Sequence, residues 1–215
     1  MLRKIPFIKP MVPTLAKLPP VGPDWLHEVK FDGWRMQLHV ENGSATLYSK
    51  NGADFTTRFR ALRLVLEPIP ARSAIIDCEL VACDDSGMPC FQTLMTLGNK
   101  ASALCLWCFD LLHLNGERIT PLPLTERKAL LAGIVKRAGD KHLQLSGEFA
   151  DPFALLETCK KMNLEGIVSK RKQSAYRSGP TRDWLKIKTA TWRAANRNRW
   201  EMFGRSASAH FPRSA

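Results

Sequence analysis

Between residues 25 and 40 apolar and polar positions alternate with a period of two, the pattern of half-buried strands. Val29 and Phe31 fall on one face and Glu28, Lys30 and Asp32 on the other, and the alternation continues through residue 40. Glu41-Asn42-Gly43-Ser44 carries the Asn-Gly pair of a tight hairpin, so residues 45–49 are expected to return as a strand. Ser49-Lys50-Asn51-Gly52 turns the chain again. A helix is expected from Thr56 or Thr57 to Leu66, stopped by Pro68 and Pro70. Residues 74–82 and 104–112 predict two more strands, the second apolar enough to be fully buried. Asp84-Asp85-Ser86-Gly87 predicts a turn between them, and residues 91–97 a short helix. Thr125 and Asp151-Pro152 are expected to cap helices over about 126–136 and 152–162. Residues 164–170 and 184–188 predict two last strands, and residues 192–203 a helix before a loose tail. The proline-rich residues 1–24 are expected to wrap the surface.

Composition narrows the class. At 215 residues, 45% hydrophobic and 24% charged, the chain is of ordinary globular type and long enough for one sizeable domain or two small ones. Its 32 Lys and Arg against 20 Asp and Glu give a net charge of +12. A polyanionic partner is implied, nucleic acid before membrane, because no polybasic amphipathic helix stands out. No run approaches the ~20 apolar residues of a membrane span. Pro6, Pro10 and Pro13 interrupt any signal-peptide core, so a cytoplasmic protein is expected. Cys105 and Cys108 have C-x-x-C spacing, but a strand sends them to opposite faces, which excludes shared metal ligation there. The six cysteines are expected as buried, reduced thiols.

Candidate chemistry centres on Glu28-Val29-Lys30-Phe31-Asp32-Gly33-Trp34-Arg35. A lysine becomes a nucleophile when burial or a positive neighbour lowers its pKa, and a glycine beside it lets the backbone turn sharply. Asp77 and Glu79 lie inside an apolar strand, a costly placement unless they are paired or ligating. Phe109-Asp110 repeats an aromatic–acid pair at the end of the next strand. Lys186 and Lys188, two apart on a strand, share a face and could reach one phosphate.

Taken in order, the series is K-x-D-G-x-R, S-K-N-G, D-x-E-L, F-D, E-G-I-V-S-K and W-L-K-I-K. It resembles the nucleotidyltransferase motifs of ATP-dependent DNA ligases, most closely the ligase domains of bacterial non-homologous end-joining systems, over residues 8–188. The resemblance implies an α+β fold, with antiparallel sheets flanked by helices around a nucleotide cleft. It implies that Lys30 forms a lysyl-N-AMP intermediate from ATP with release of pyrophosphate. Glu28 would read the adenine amino group, Arg35 contact the ribose or the nick phosphate, and Phe109 stack on adenine. Lys186 and Lys188 would hold the α-phosphate and lower the Lys30 pKa by like-charge repulsion. Lys50, where many relatives carry arginine, and Val168 complete the nucleotide-binding set. Asp32, Glu79 and Glu165 would form the metal environment, with Mg²⁺ as the metal because the candidate ligands are carboxylates.

Implied partners are nicked duplex DNA and an OB-fold or end-joining protein acting in trans, in a cytoplasmic, nucleoid-associated setting. Residues 1–190 are expected to be the adenylation domain. Residues 191–215 would be a C-terminal helix and tail, too short for an OB-fold barrel. Two other readings fit the same lysine chemistry or the same charge. One is an RNA ligase or a GTP-using capping-type guanylyltransferase, the other a non-catalytic DNA-binding remnant.

Overall fold

The alternation at residues 25–40 is not one strand but two, and they belong to different sheets. The computed structural model describes residues 5–66, 69–82, 94 and 104–196. In it β1 (Met11–Leu15) and β2 (Trp25–Lys30) lie in a first sheet, and β3 (Trp34–Glu41) opens a second. The crossing takes place at Phe31-Asp32-Gly33, where a Cβ on Gly33 would stand 2.2 Å from the Leu80 carbonyl oxygen. Only glycine lets the backbone pass that close.

β4 (Ser44–Ser49) returns from β3 through a hairpin whose two central residues, Asn42 and Gly43, have φ of 50° and 80°. Both are the left-handed values that an Asn-Gly turn supplies. α1 (Arg60–Leu66) follows, beginning several residues later than its sequence pattern suggests. Next come β5 (Ser73–Ala82), β6 (Leu104–Leu114) and β7 (Glu117–Arg118). The expected turn at 84–87 and helix at 91–97 lie outside the described residues, Leu94 excepted. α2 (Leu124–Ala138), β8 (Leu143–Leu145), α3 (Pro152–Lys161), β9 (Gly166–Arg171), β10 (Gly179–Lys188) and α4 (Ala190–Ala195) complete the order.

Asp151 caps α3 as expected, its carboxylate accepting from the Phe153 and Ala154 amides. Thr125 does not cap α2: the helix starts two residues earlier than expected, at Leu124, with Pro123 at the cap position and no side-chain cap. The C-terminal helix starts two residues early because Thr189 supplies its cap. The expected extent of that helix beyond residue 196 falls outside the described residues.

The first sheet runs β1-β10-β9-β2 and the second β4-β3-β5-β6-β7, with β8 beside β6. The α+β expectation holds. The sheets are mixed rather than purely antiparallel, because β1–β10 and β6–β8 pair in parallel. Residues 11–15 are therefore an edge strand and not a surface wrap. The main core fills the space between the second sheet and helices α1 and α2, through Leu38, Leu47, Leu62, Ile76, Leu106, Leu131 and Ile134. A smaller cluster around Leu155, Cys159, Ile167 and Ile187 seats α3 on the back of the first sheet. Cys78, Cys105, Cys108 and Cys159 are buried thiols outside any disulfide. Among the described residues no helix is long and apolar enough to cross a membrane.

Candidate active site

Strand register builds the site. β9 lies between β2 and β10, and its pairings align three rows across the first sheet. Lys30, Gly166 and Lys188 form one row, Glu28, Val168 and Lys186 the next, and Leu26, Lys170 and Trp184 the third. Because side chains alternate, all three rows present the same face. That face and the Arg35, Glu79 and Phe109 side chains of the second sheet enclose a cavity of about 310 Å³. Its wall includes Glu28, Lys30, Arg35, Lys50, Glu79, Phe109, Val168 and Lys186 from the sequence-derived set, together with Lys170 and Trp184.

The cavity has two chemically different ends. At one end Phe109 and Trp184 meet edge to face, with ring centroids 6.2 Å apart, beside Val168 and Glu28. At the other stand the lysines. Lys30 Nζ is 2.9 Å from Glu165 Oε2, and Lys188 Nζ is 2.8 Å from Glu165 Oε1. One carboxylate thus bridges the nucleophile candidate and the second basic strand. Burial pushes the Lys186 ammonium below its ordinary pKa, and the neighbouring Lys30 and Lys188 charges push the same way.

The row through Gly166 explains how Lys30 and Lys188 share one partner. Gly166 has φ of +150°, and a Cβ there would stand 2.0 Å from the Ile187 carbonyl oxygen. With no side chain between them, the two lysines flank an open gap, and Glu165, next to that glycine, fills it.

Both acids of β5 are accounted for differently. Asp77, fully buried, takes the Arg35 guanidinium in two hydrogen bonds of 3.0 and 2.6 Å and the Tyr176 hydroxyl at 2.5 Å. Arg35 is thereby held as part of the cavity wall, its guanidinium 5.3 Å from the Phe109 ring centre. Glu79, half-buried in the same wall, has its pKa raised to about 7. Burial is the main cause, opposed by Lys30 and Arg35 and reinforced by Glu165 and Asp77.

The three-acid metal set does not assemble. Among the described residues no group of three His, Cys, Asp or Glu side chains converges. Asp32 Oδ2 accepts from the Trp192 indole at 3.2 Å, and Asp32 is not part of the cavity wall. Lys188 is likewise drawn aside, 4.1 Å from the centre of the Trp192 ring. Glu79 and Glu165 remain as an oxygen-only pair. That pair suits Mg²⁺, which takes one or two carboxylates plus phosphate oxygens and water.

A buried charge network behind the site was not anticipated. Both Glu28 oxygens are occupied, Oε1 by Lys128 at 2.7 Å and Oε2 by Lys170 at 2.9 Å. Burial alone would raise the Glu28 carboxyl, but the two ammoniums outweigh it and lower its pKa. Arg127 grips Asp110 through bonds of 2.7 and 2.9 Å. A signal for the two α2 cations existed. The buried stripe of that helix reads Leu124, Arg127, Lys128, Leu131, Ile134, and cations set within an apolar stripe must find buried partners. Lys170 and Trp184 lie inside the E-G-I-V-S-K and W-L-K-I-K segments.

Two facing sheets, with a lysine strand at their junction and basic strands beside it, are the ligase-type nucleotidyltransferase fold. The chain belongs to the ATP-dependent DNA ligase domain family, whose model matches residues 11–188. The multifunctional non-homologous end joining protein LigD of Pseudomonas aeruginosa is 35% identical over 185 residues, covering 85% of this chain and 22% of that protein. A DNA ligase of Pyrobaculum calidifontis is 32% identical over 202 residues, covering 83% of this chain and 35% of the relative. Among solved structures, mycobacterial DNA ligase D complexed with ATP and MES superimposes with a TM-score of 0.72 at 27% identity, covering 83% of this chain and 59% of that one. The chain thus spans about a fifth of the length of the Pseudomonas relative.

Proposed function

We propose that this chain is the adenylation domain of an ATP-dependent DNA ligase, with Lys30 as the nucleophile and nicked duplex DNA as the substrate. The observation that carries the reading is one cavity with an aromatic, acceptor-bearing end suited to a purine and a lysine end suited to phosphates. Lys30 stands at the junction of the two sheets that form it. Phe109 and Trp184 offer the base its apolar surface, and Glu28 accepts from its amino edge. Lys186 and Lys50 face the phosphates.

In the chemical step Lys30 Nζ attacks the α-phosphorus. The N–P bond forms, the bond from the α-phosphorus to the α,β-bridging oxygen breaks, and pyrophosphate leaves with that electron pair. Nζ must first give up a proton, and Glu165 Oε2, 2.9 Å away, is the acceptor at hand. Charge building on the transferring group is met by the cations already held around it, so little reorganisation is needed. Mg²⁺ held by Glu79 and Glu165 would supply further neutralisation of the phosphates. The AMP then passes to the 5′-phosphate at a nick, and the 3′-hydroxyl displaces it. An end-joining or OB-fold partner and a cytoplasmic, nucleoid-associated setting accompany this reading, supported by the end-joining relative.

Incubation with α-³²P-ATP and Mg²⁺ followed by denaturing electrophoresis tests it. Wild type is expected to carry acid-labile, alkali-stable label, and folded Lys30→Ala to carry none. Label from GTP instead, or label retained in Lys30→Ala, would overturn the assignment.

A further inference from the structure

Arg127 and Lys128 are neighbours on α2, but they reach to different places. Arg127 spends its guanidinium on Asp110 and on the Leu122 and Ser174 carbonyls. Lys128 donates to Glu28 Oε1 at 2.7 Å and to the Ser146 carbonyl at 3.3 Å, with Glu148 3.6 Å away. Lys128 is 2% exposed and absent from the cavity wall, whereas Glu28 is part of it. The second Glu28 oxygen is held by Lys170, whose ammonium lies 4.6 and 4.4 Å from the Phe109 and Trp184 ring centres.

The carboxylate plane of Glu28 is therefore fixed by one cation at each oxygen. A carboxylate has about four lone-pair sites, so acceptor capacity remains for a donor inside the cavity. It sits at the aromatic end, where a base would lie. A purine 6-amino group can donate there, while a 6-oxo group offers only another acceptor to a negative charge.

We propose that Lys128 is a positioning residue for purine selection, fixing the Glu28 carboxylate from behind so that it favours a 6-aminopurine triphosphate. The proposal rests on the nucleotide reading of the cavity. Lys170 contacts the same carboxylate but lies in the wall, so it would touch the nucleotide itself. Lys128 acts only through Glu28.

The test compares label transfer from ATP and from purine riboside triphosphate, which lacks the 6-amino group, both α-labelled. Wild type is expected to favour ATP by about tenfold or more in kcat/KM, the scale of one hydrogen bond to a charged acceptor. Lys128→Met keeps an unbranched apolar stem, one atom shorter than lysine, and removes the charge. It is expected to lose about ten- to a hundredfold with ATP, mainly through KM, and less than about threefold with the analogue. Lys128→Arg is expected to keep most of the ATP preference. A purely structural strut would weaken both nucleotides alike, so equal losses, or an unchanged preference, overturn the proposal. Should Lys128→Met fail to fold by circular dichroism, Lys128→Gln carries the same comparison. Label from wild type without any preference for ATP overturns the proposal alone. No label from either nucleotide overturns the nucleotidyl-transfer reading and this proposal with it.

Discussion

Glu79 keeps its proton to higher pH than a solvated carboxyl chiefly because burial disfavours its charged form, Lys30 and Arg35 opposing this and the Glu165 and Asp77 charges adding to it. Its folded value of about 7 lies above the ordinary 4.5. Between those values the folded chain holds more protons than the unfolded one, so stability falls as pH rises through that window. At ~1.4 kcal/mol per unit the loss is capped at about 3 kcal/mol, and solvent screening reduces it. Glu79→Gln keeps the shape and removes the titration. In urea melts with EDTA at pH 5.5 and pH 8, the variant is expected to lose less stability than wild type over this range, by about 1–2 kcal/mol. Parallel pH dependences would show that Glu79 ionises like a surface carboxyl. The other candidate metal acid lies outside the cavity wall and differs in kind. Glu165 is committed to two ammoniums, so a cation binding there must compete with Lys30 and Lys188, whereas Glu79 offers a carboxyl that a cation would help to ionise.

Strand β9 is the element on which the site depends, because its register aligns the residues of β2 and β10. Gly166→Ala would press a Cβ onto the Ile187 carbonyl at 2.0 Å in a backbone region that disfavours side chains. A loss of about 2 kcal/mol or more is expected, with label transfer falling further than stability because the Lys30–Gly166–Lys188 row, and the Glu165 contacts to both lysines, are disturbed. Chemical melts and label transfer on the same preparation check both, and wild-type behaviour in both would refute the row. Much of this element level was legible in the sequence. The Asn42-Gly43 hairpin, the Asp151-Pro152 cap and the period-two strands are local signals, each decided by a few neighbouring residues. The switch between sheets at Gly33 and the parallel pairing of β1 were not, since they depend on residues distant in sequence, Leu80 for Gly33 and Gly179 to Lys186 for β1. The place of Asp32 outside the cavity wall was not legible for a related reason. Its place in K-x-D-G suggests a cavity residue, but Trp192, 160 positions on, takes its carboxylate. Lys128 was not legible in the cap signal from which that helix is inferred, because a cap does not say which face of the helix is buried.

At the scale of the molecule, two sheets that share little backbone pairing must be held at a fixed separation for the cavity to keep its shape. Buried charges do much of this. Arg127 joins Asp110 of the second sheet to the Ser174 carbonyl, just beyond β9 of the first, and Glu28 with Lys128 and Lys170 closes a second bridge. Removing one partner strands a charge, so Arg127→Leu is expected to cost about 3–5 kcal/mol, while adding Asp110→Asn recovers part of that. Strict additivity of the two in urea melts would show that no pair exists. These pairs also bear on the excess charge. Arg35, Arg127, Lys128 and Lys170 are matched inside by Asp77, Asp110 and Glu28, so these buried groups take up little of the positive surplus. A surface of that sign should bind duplex DNA by releasing counterions, with log K falling by about 0.9 per decade of salt for each phosphate neutralised. Two such contacts already imply roughly a tenfold loss of affinity between about 50 and 200 mM salt. Fluorescence anisotropy on a nicked duplex is expected to show at least that loss, with the same slope on unrelated sequences, because phosphates carry no base information. Binding that ignores salt, or that varies strongly with sequence at fixed salt, would mean that the surplus charge serves something other than the DNA backbone.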